Sequence, residues 1–291
     1  MMRVGFIGLG DQGGPMAQMI AGAGFPLTIW ARRPEVRARF AALGAEIADD
    51  PAALTTASDL VCLCVTGDAD VRELLVEGGM ISALRKRSIV AIHSTIRPQT
   101  CVELARLVMA RGATLLDLPV SGSGHAALAR TLLVMAGGDA GAVARAMPVL
   151  ESYAGTIIRI GEVGAAMNAK LVNNLMAVVN IGQAYRALSL GRQMGVEPVA
   201  LREALLAGTG RTFAIDLIKR LHLPSRADHV RGVLVKDVHL AIEAMPVDER
   251  TYWLPLALTG LDALEVLISG EVMLLPVKED QHGEYVVNGA A

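Results

Sequence analysis

Three cysteines are all that 291 residues provide, Cys62, Cys64 and Cys101, and no Cys-x-x-Cys occurs among them. Cys62 and Cys64 alternate within the apolar run 60–65, so the expectation is buried thiols packed as small hydrophobes, in a reducing compartment. Strong charge of either sign is also missing. The formal charge is -2 and the pI about 6.3, which leaves no basic face for nucleic acid or anionic lipid. Long apolar runs are missing too. The longest candidates are broken by Asp11, by Asp70, or by Lys170 with Asn173 and Asn174, so a membrane-spanning helix is not expected. The opening MMRVGFIGLGDQGG has neither the apolar stretch nor the small-residue cleavage site of a signal peptide, and a cytoplasmic protein is expected. His93, His125, His222, His229, His239 and His282 show no His-Glu-x-x-His and no paired i,i+4 spacing, so no metal site is expected. With no Gly-x-Ser-x-Gly, a serine hydrolase is excluded.

What is present is apolar residues, 53 % of the chain, arranged in two regimes. Two domains are expected from the length. Up to about residue 161, short apolar runs alternate with helical stretches. Strands are expected at 4–7, 27–30, 60–65, 89–92 and 114–118. Helices are expected at 15–23, 34–43, 69–75 and 98–110, three of them led by a proline near the first turn. Runs 132–136 and 156–160 flank a further helix, 140–153. This alternation predicts a doubly wound, mostly parallel α/β sheet covered by helices on both faces. After Gly161 the pattern becomes helical. Residues 165–194 predict one rod of roughly 45 Å, followed by helices at 198–207, 211–221, 236–244 and 255–267, with no alternating strand pattern. The domains are therefore expected at 1–161 and 162–291, joined by the long helix. That helix carries more apolar surface than the later ones can cover, which predicts a homodimer or higher homo-oligomer.

Gly8-Leu9-Gly10-Asp11-Gln12-Gly13 is a complete Gly-x-Gly-x-x-Gly between a strand and a helix. Its glycines suit a tight turn, close approach of backbone to a diphosphate, and close helix–strand packing. The anion then lies at the amino end of the helix, where free N–H groups and the dipole favour it. Gly8, Leu9, Gly10, Gln12 and Gly13 are thus candidate dinucleotide contacts. A site for NAD(H) usually puts an acid at the end of the second strand. Here the chain reads Ile29-Trp30-Ala31-Arg32-Arg33, and two guanidinium groups suit a 2′-phosphate. NADP(H) is favoured over NAD(H).

The run Gly5 to Ala17 resembles the opening of the β-hydroxyacid dehydrogenases, the group containing 3-hydroxyisobutyrate dehydrogenase and tartronate semialdehyde reductase, although Gln12 stands where the family usually has Met. His93-Ser94-Thr95-Ile96, Asp117-Leu118-Pro119-Val120-Ser121-Gly122, Gly161-Glu162-Val163-Gly164 with Lys170 and Asn174, and Lys236-Asp237 follow in the family's order. The resemblance implies a Rossmann domain, an all-helical second domain, and an active site in the cleft between them. It implies that Ser121 and Gly122, with Ser123 beside them, grip a substrate carboxylate. It also implies that Val65, Thr66, Thr95 and Lys236 face the cofactor.

Lys170 and Asn174 are i and i+4 on one helix face, while Asn173 is expected to point elsewhere. Hydride delivery to a carbonyl builds an alkoxide. A lysine ammonium there would stabilise that charge and supply the proton, and the neutral amine would remove it in the reverse direction. Asn174 would hold the substrate oxygen or orient the lysine. The sequence departs from the family at Ser123, Ala126, Arg130, Arg186, His229 and Val233, which leaves the substrate open beyond a small carboxylate-bearing molecule. Two alternatives stand beside a 3-hydroxy acid dehydrogenase or semialdehyde reductase. One is an imine reductase-like enzyme, which Lys170 argues against. The other is a non-catalytic NADP(H)-binding module.

Overall fold

Short apolar runs, most of their residues buried, set the sheet. The computed structural model describes residues 1–221, 224–269, 277–279 and 285–287. Two compact units follow one another, Met1–Lys170 and Leu171–Ala291. The first contains, in chain order, β1 (Val4–Ile7), α1 (Gly13–Gly22), β2 (Leu27–Trp30), α2 (Pro34–Ala41), β3 (Glu46–Ile47), α3 (Pro51–Ala57) and β4 (Leu60–Leu63). It continues with α4 (Asp68–Arg72), α5 (Met80–Ala83), β5 (Ile89–Ile92), α6 (Pro98–Met109), β6 (Thr114–Asp117), β7 (Val120–Ser121), α7 (Gly124–Leu128), β8 (Leu132–Gly137), α8 (Ala140–Leu150) and β9 (Ala154–Gly161). Strands β1 to β6 run parallel in the order β3-β2-β1-β4-β5-β6. The sheet then closes with β8, antiparallel to β6 and β7, and with β9 parallel to β8. This is the doubly wound order, and its reversal lies between β1 and β4, where the carboxyl ends of the strands open a crevice. One face of the sheet buries Phe6, Met16, Ile20, Ile29 and Phe40, the other Ile7, Leu54, Leu63, Leu75 and Leu104.

Helix α9 (Ala165–Gln193) crosses the division between the units. The second unit adds α10 (Pro198–Ala207), α11 (Phe213–Leu221), α12 (Pro224–Ala244) and α13 (Val247–Ser269). Its core joins Leu175, Val178 and Ile181 of α9 to Ile218, Leu240 and Leu264. A Cβ on Gly260 would lie 2.0 Å from the Val178 carbonyl oxygen, so α13 meets α9 at backbone contact. By length and composition α13 alone, among the described residues, could span a membrane, at a mean hydropathy of 1.2. Its Ala257, Ala263, Leu264 and Leu267 are buried in the helical core.

Several expectations are corrected. The short strand β3 and the helix α3 were not expected: β3 is two exposed residues, too short to alternate, and α3 starts on Asp50, whose side chain accepts from Ala53 N–H. Helix α13 begins eight residues before Pro255, which was expected to open it; Pro255 instead lies inside the helix. The helix expected at 236–244 begins at Pro224. The all-helical second domain ends in a small hairpin, β10 (Val277–Glu279) antiparallel to β11 (Tyr285–Val287). Cys62 and Cys101 are buried, with burial pushing both thiols up, but Cys64 is only half-buried.

His93 follows β5, stacked on Phe6 with centroids 6.3 Å apart and with Nδ1 2.8 Å from the Leu118 carbonyl oxygen. Burial lowers its pKa from 6.5 to about 4, against a smaller upward pull from that carbonyl. Between those values the unfolded chain binds a proton that the folded chain does not. This contribution to stability is complete above pH 6.5 and lost as pH falls toward 4, and it is of order 3 kcal/mol. Urea midpoints measured across that window should fall more steeply for the parent than for His93→Gln. Equal slopes would exclude this role.

Candidate active site

The glycine turn follows from what each Cβ would meet. Gly8 has φ +94°, and a Cβ there would lie 2.1 Å from the Cys64 carbonyl oxygen, at the end of β4. Gly13 would place one 2.0 Å from the Gly8 carbonyl oxygen. At Gly10 a Cβ would meet nothing within 4 Å. Gly8 and Gly13 therefore serve the fold, while Gly10 leaves an open cradle before the amino end of α1. That helix has no side-chain cap and no acid in its first turn, so its N–H groups face an anion favourably. These features fit a dinucleotide diphosphate. Leu9 is buried in the core, so only its main chain can contribute. The Gln12 side chain lies back on Met16, Nε2 to Sδ 3.7 Å.

Arg32 and Arg33 are exposed after β2, with Arg33 Nε 3.8 Å from Glu35 Oε1. The turn that carries them is fastened by Arg37, whose Nε and Nη2 donate to the carbonyls of Ala31 and Arg32 at 2.6 and 3.0 Å. Sequence reasoning missed Arg37; a third arginine in the first turn of α2 was the available signal. Val65 and Thr66 follow β4, and Thr95 follows β5. Ser94 joins these ends, its Oγ accepting from Val65 N–H at 2.8 Å.

Ser121 belongs to β7 and pairs with Leu133. Only Gly122 and Ser123 remain before α7. Gly122 has φ +125°, and a Cβ on Gly124 would lie 2.1 Å from the Asp11 carbonyl oxygen. The segment 121–124 and the glycine turn are thus in contact, bringing candidate substrate and cofactor residues together.

Lys170 is 8 % exposed and Asn174 7 %, one turn apart on α9. Burying an ammonium is costly, which marks Lys170 as a functional candidate. The Asn174 amide is held on both sides. Its Nδ2 donates to Asp237 Oδ2 at 2.5 Å, and its Oδ1 accepts from Asn173 Nδ2 at 2.9 Å. Asn173 was expected to point elsewhere; adjacent helical residues diverge at Cβ, but the amide is long enough to reach its neighbour. One N–H and one lone pair of Asn174 remain for a ligand. Asp237 is 1 % exposed, and its Oδ1 lies 3.4 Å from Lys236 Nζ, an ion pair without hydrogen-bond geometry.

Arg186 is exposed, on a part of α9 far along the axis from Lys170. No group of three or more His, Cys, Asp or Glu side chains converges among the described residues. His222, His282 and the side chain of His229 lie outside them.

Residues 3–161 match the model for the NAD binding domain of 6-phosphogluconate dehydrogenase. Residues 164–273 match that described as "NAD-binding of NADP-dependent 3-hydroxyisobutyrate dehydrogenase". The 3-hydroxyisobutyrate dehydrogenase of Pseudomonas aeruginosa is 33 % identical over 218 residues, covering 75 % of this chain and 73 % of its own. The structure of Psf3 in complex with NADP+ and 2-OPP is 27 % identical at a TM-score of 0.79, over 91 % of this chain and 99 % of that one. An imine reductase from Pseudomonas sp., 16 % identical over 92 % of this chain and 99 % of its own, shares the fold alone, at a TM-score of 0.64. The fold, the glycine turn and these matches define an NAD(P)-binding dehydrogenase. Within that class, the chain belongs to the β-hydroxyacid dehydrogenase family.

Proposed function

We propose that this protein is an NADP(H)-dependent oxidoreductase that interconverts a small 3-hydroxy acid and its semialdehyde or keto acid, with Lys170 as general acid and base. The observation that carries the reading is the buried lysine on α9, one turn from an asparagine whose amide is fixed by Asp237. The dinucleotide supplies or accepts the hydride. In reduction, Lys170 stabilises the developing alkoxide and gives it a proton; in oxidation, its neutral amine takes the hydroxyl proton. Asn174 holds the substrate oxygen with its remaining N–H. Ser121, Gly122 and Ser123 hold the substrate carboxylate through hydroxyls and N–H groups. Val65, Thr66, Thr95 and Lys236 line the cofactor. A panel of short semialdehydes and of 2- and 3-hydroxy acids, read by nicotinamide absorbance, tests the reading. Turnover confined to imines, or absent throughout, would overturn it.

Arg32 and Arg33 support a preference for NADP(H), through the extra charge of the 2′-phosphate. Arg32→Asp is expected to lower the NADPH-to-NADH ratio of kcat/KM at least ~100-fold, about 2.7 kcal/mol. A variant that keeps the NADPH preference would refute the assignment. A homodimer is supported by apolar side chains left exposed on α9, with Val172 at 61 %, Met176 at 41 % and Leu190 at 56 %. Light scattering should give the mass of at least two chains, and a monomer at micromolar concentration would contradict it.

A further inference from the structure

Asp117 ends β6 with no exposed surface, a position whose desolvation must be offset by hydrogen bonds. Both carboxylate oxygens are used. Oδ1 accepts from Gly164 N–H and Oδ2 from Met167 N–H, each at 3.0 Å. Gly164 immediately precedes α9, and Met167 lies in its first turn. A side chain 47 residues upstream of Gly164 thus does what a capping residue ordinarily does locally, satisfying N–H groups at a helix start and placing negative charge at the positive end of its dipole. The surroundings are shaped to it. A Cβ on Gly137, its partner across β8, would lie 2.3 Å from Oδ1. Burial pushes the Asp117 pKa up, and the helix N–H groups pull it down.

Two candidate arms of the site meet at this residue. Its main chain runs through Leu118 and Pro119 into β7 and Ser121. Its side chain grips the helix turn that precedes Lys170. We infer that Asp117 is a positioning residue, holding the start of α9 to the end of β6 and so fixing the Lys170 ammonium relative to the Ser121–Ser123 segment. This deepens the proposed function and rests on it for the role of Lys170. Asp117 itself touches no reactant.

The experiment compares Asp117→Ala and Asp117→Asn with the parent, as full-length protein saturated with NADPH. Lys170 acylation by acetic anhydride is followed by mass spectrometry, with exposed Lys86 as internal control, and kcat and NADPH affinity are measured on the same samples. In Asp117→Ala, Lys170 should label at least ~5-fold faster with Lys86 unchanged, and kcat should fall at least ~30-fold with NADPH affinity within twofold. Asp117→Asn keeps one carbonyl acceptor and should fall between, restoring part of both effects. Labelling and kcat within twofold of the parent in either folded variant would overturn the inference, and Asp117→Asn carries the test where Asp117→Ala does not fold. If the parent turns over no semialdehyde, the functional reading fails by itself. The labelling arm then decides for Asp117: faster labelling of Lys170 supports the tether, and an unchanged rate overturns it.

Discussion

Gly10→Val is expected to weaken NADPH binding at least ~100-fold while leaving the melting temperature within about 2 °C of the parent. The two halves of that expectation have separate causes. A Cβ at Gly10 would meet nothing within 4 Å, and its φ lies outside the left-handed region, so the fold leaves room where a side chain would begin. The diphosphate does not, because close approach to the backbone is what a dinucleotide requires there. The neighbouring glycines should behave oppositely. Gly8→Ala puts a methyl 2.1 Å from the Cys64 carbonyl oxygen at φ +94°, and Gly13→Ala puts one 2.0 Å from the Gly8 carbonyl oxygen. Both should lower the melting temperature whether or not cofactor is added. Thermal melts and fluorescence titrations with NADPH separate the cases. Unaltered NADPH affinity in Gly10→Val would mean that the turn is architecture only.

The second large effect is on turnover. Lys170→Ala should lower kcat by at least ~1000-fold, about 4 kcal/mol, as expected for removal of a positioned general acid that also stabilises developing charge. NADPH affinity should stay within a few fold, since the proposed role begins only when the carbonyl starts to gain hydride. Asn174→Ala should cost less, because one N–H of that amide is already committed to Asp237. A non-catalytic binding module would give no turnover for Lys170→Ala to lower. An enzyme that does not use this lysine would be indifferent to the change.

Much of the first unit could be read directly from the residues. Runs such as Val4–Ile7 and Ile89–Ile92 are short and apolar, and the strands fall where this signal puts them. The glycine turn was legible as architecture at Gly8 and Gly13, where the backbone leaves no room for a Cβ. Less was visible where long-range contacts decide. Asp117 gave one faint signal, an acid closing an apolar strand, and nothing nearby announced that it caps a helix 47 residues on. Asp237 was visible as half of a familiar pair, but its burial and its hold on Asn174 depend on how α12 lies along α9. Pro255 misled because proline opens helices more often than it sits within them. Arg130 shows the reverse: its φ of +56° is a conformation that glycine adopts freely and other residues rarely. The departure then costs about 1 kcal/mol of backbone strain.

Single-turnover mixing of NADPH-loaded protein with a semialdehyde it reduces, followed by loss of nicotinamide absorbance, addresses the proton-donor role of Lys170 most directly. The account predicts that hydride transfer itself slows at least ~1000-fold in Lys170→Ala and is partly restored by added ethylammonium. A hydride step at the parent rate in that variant, with or without the amine, would contradict it.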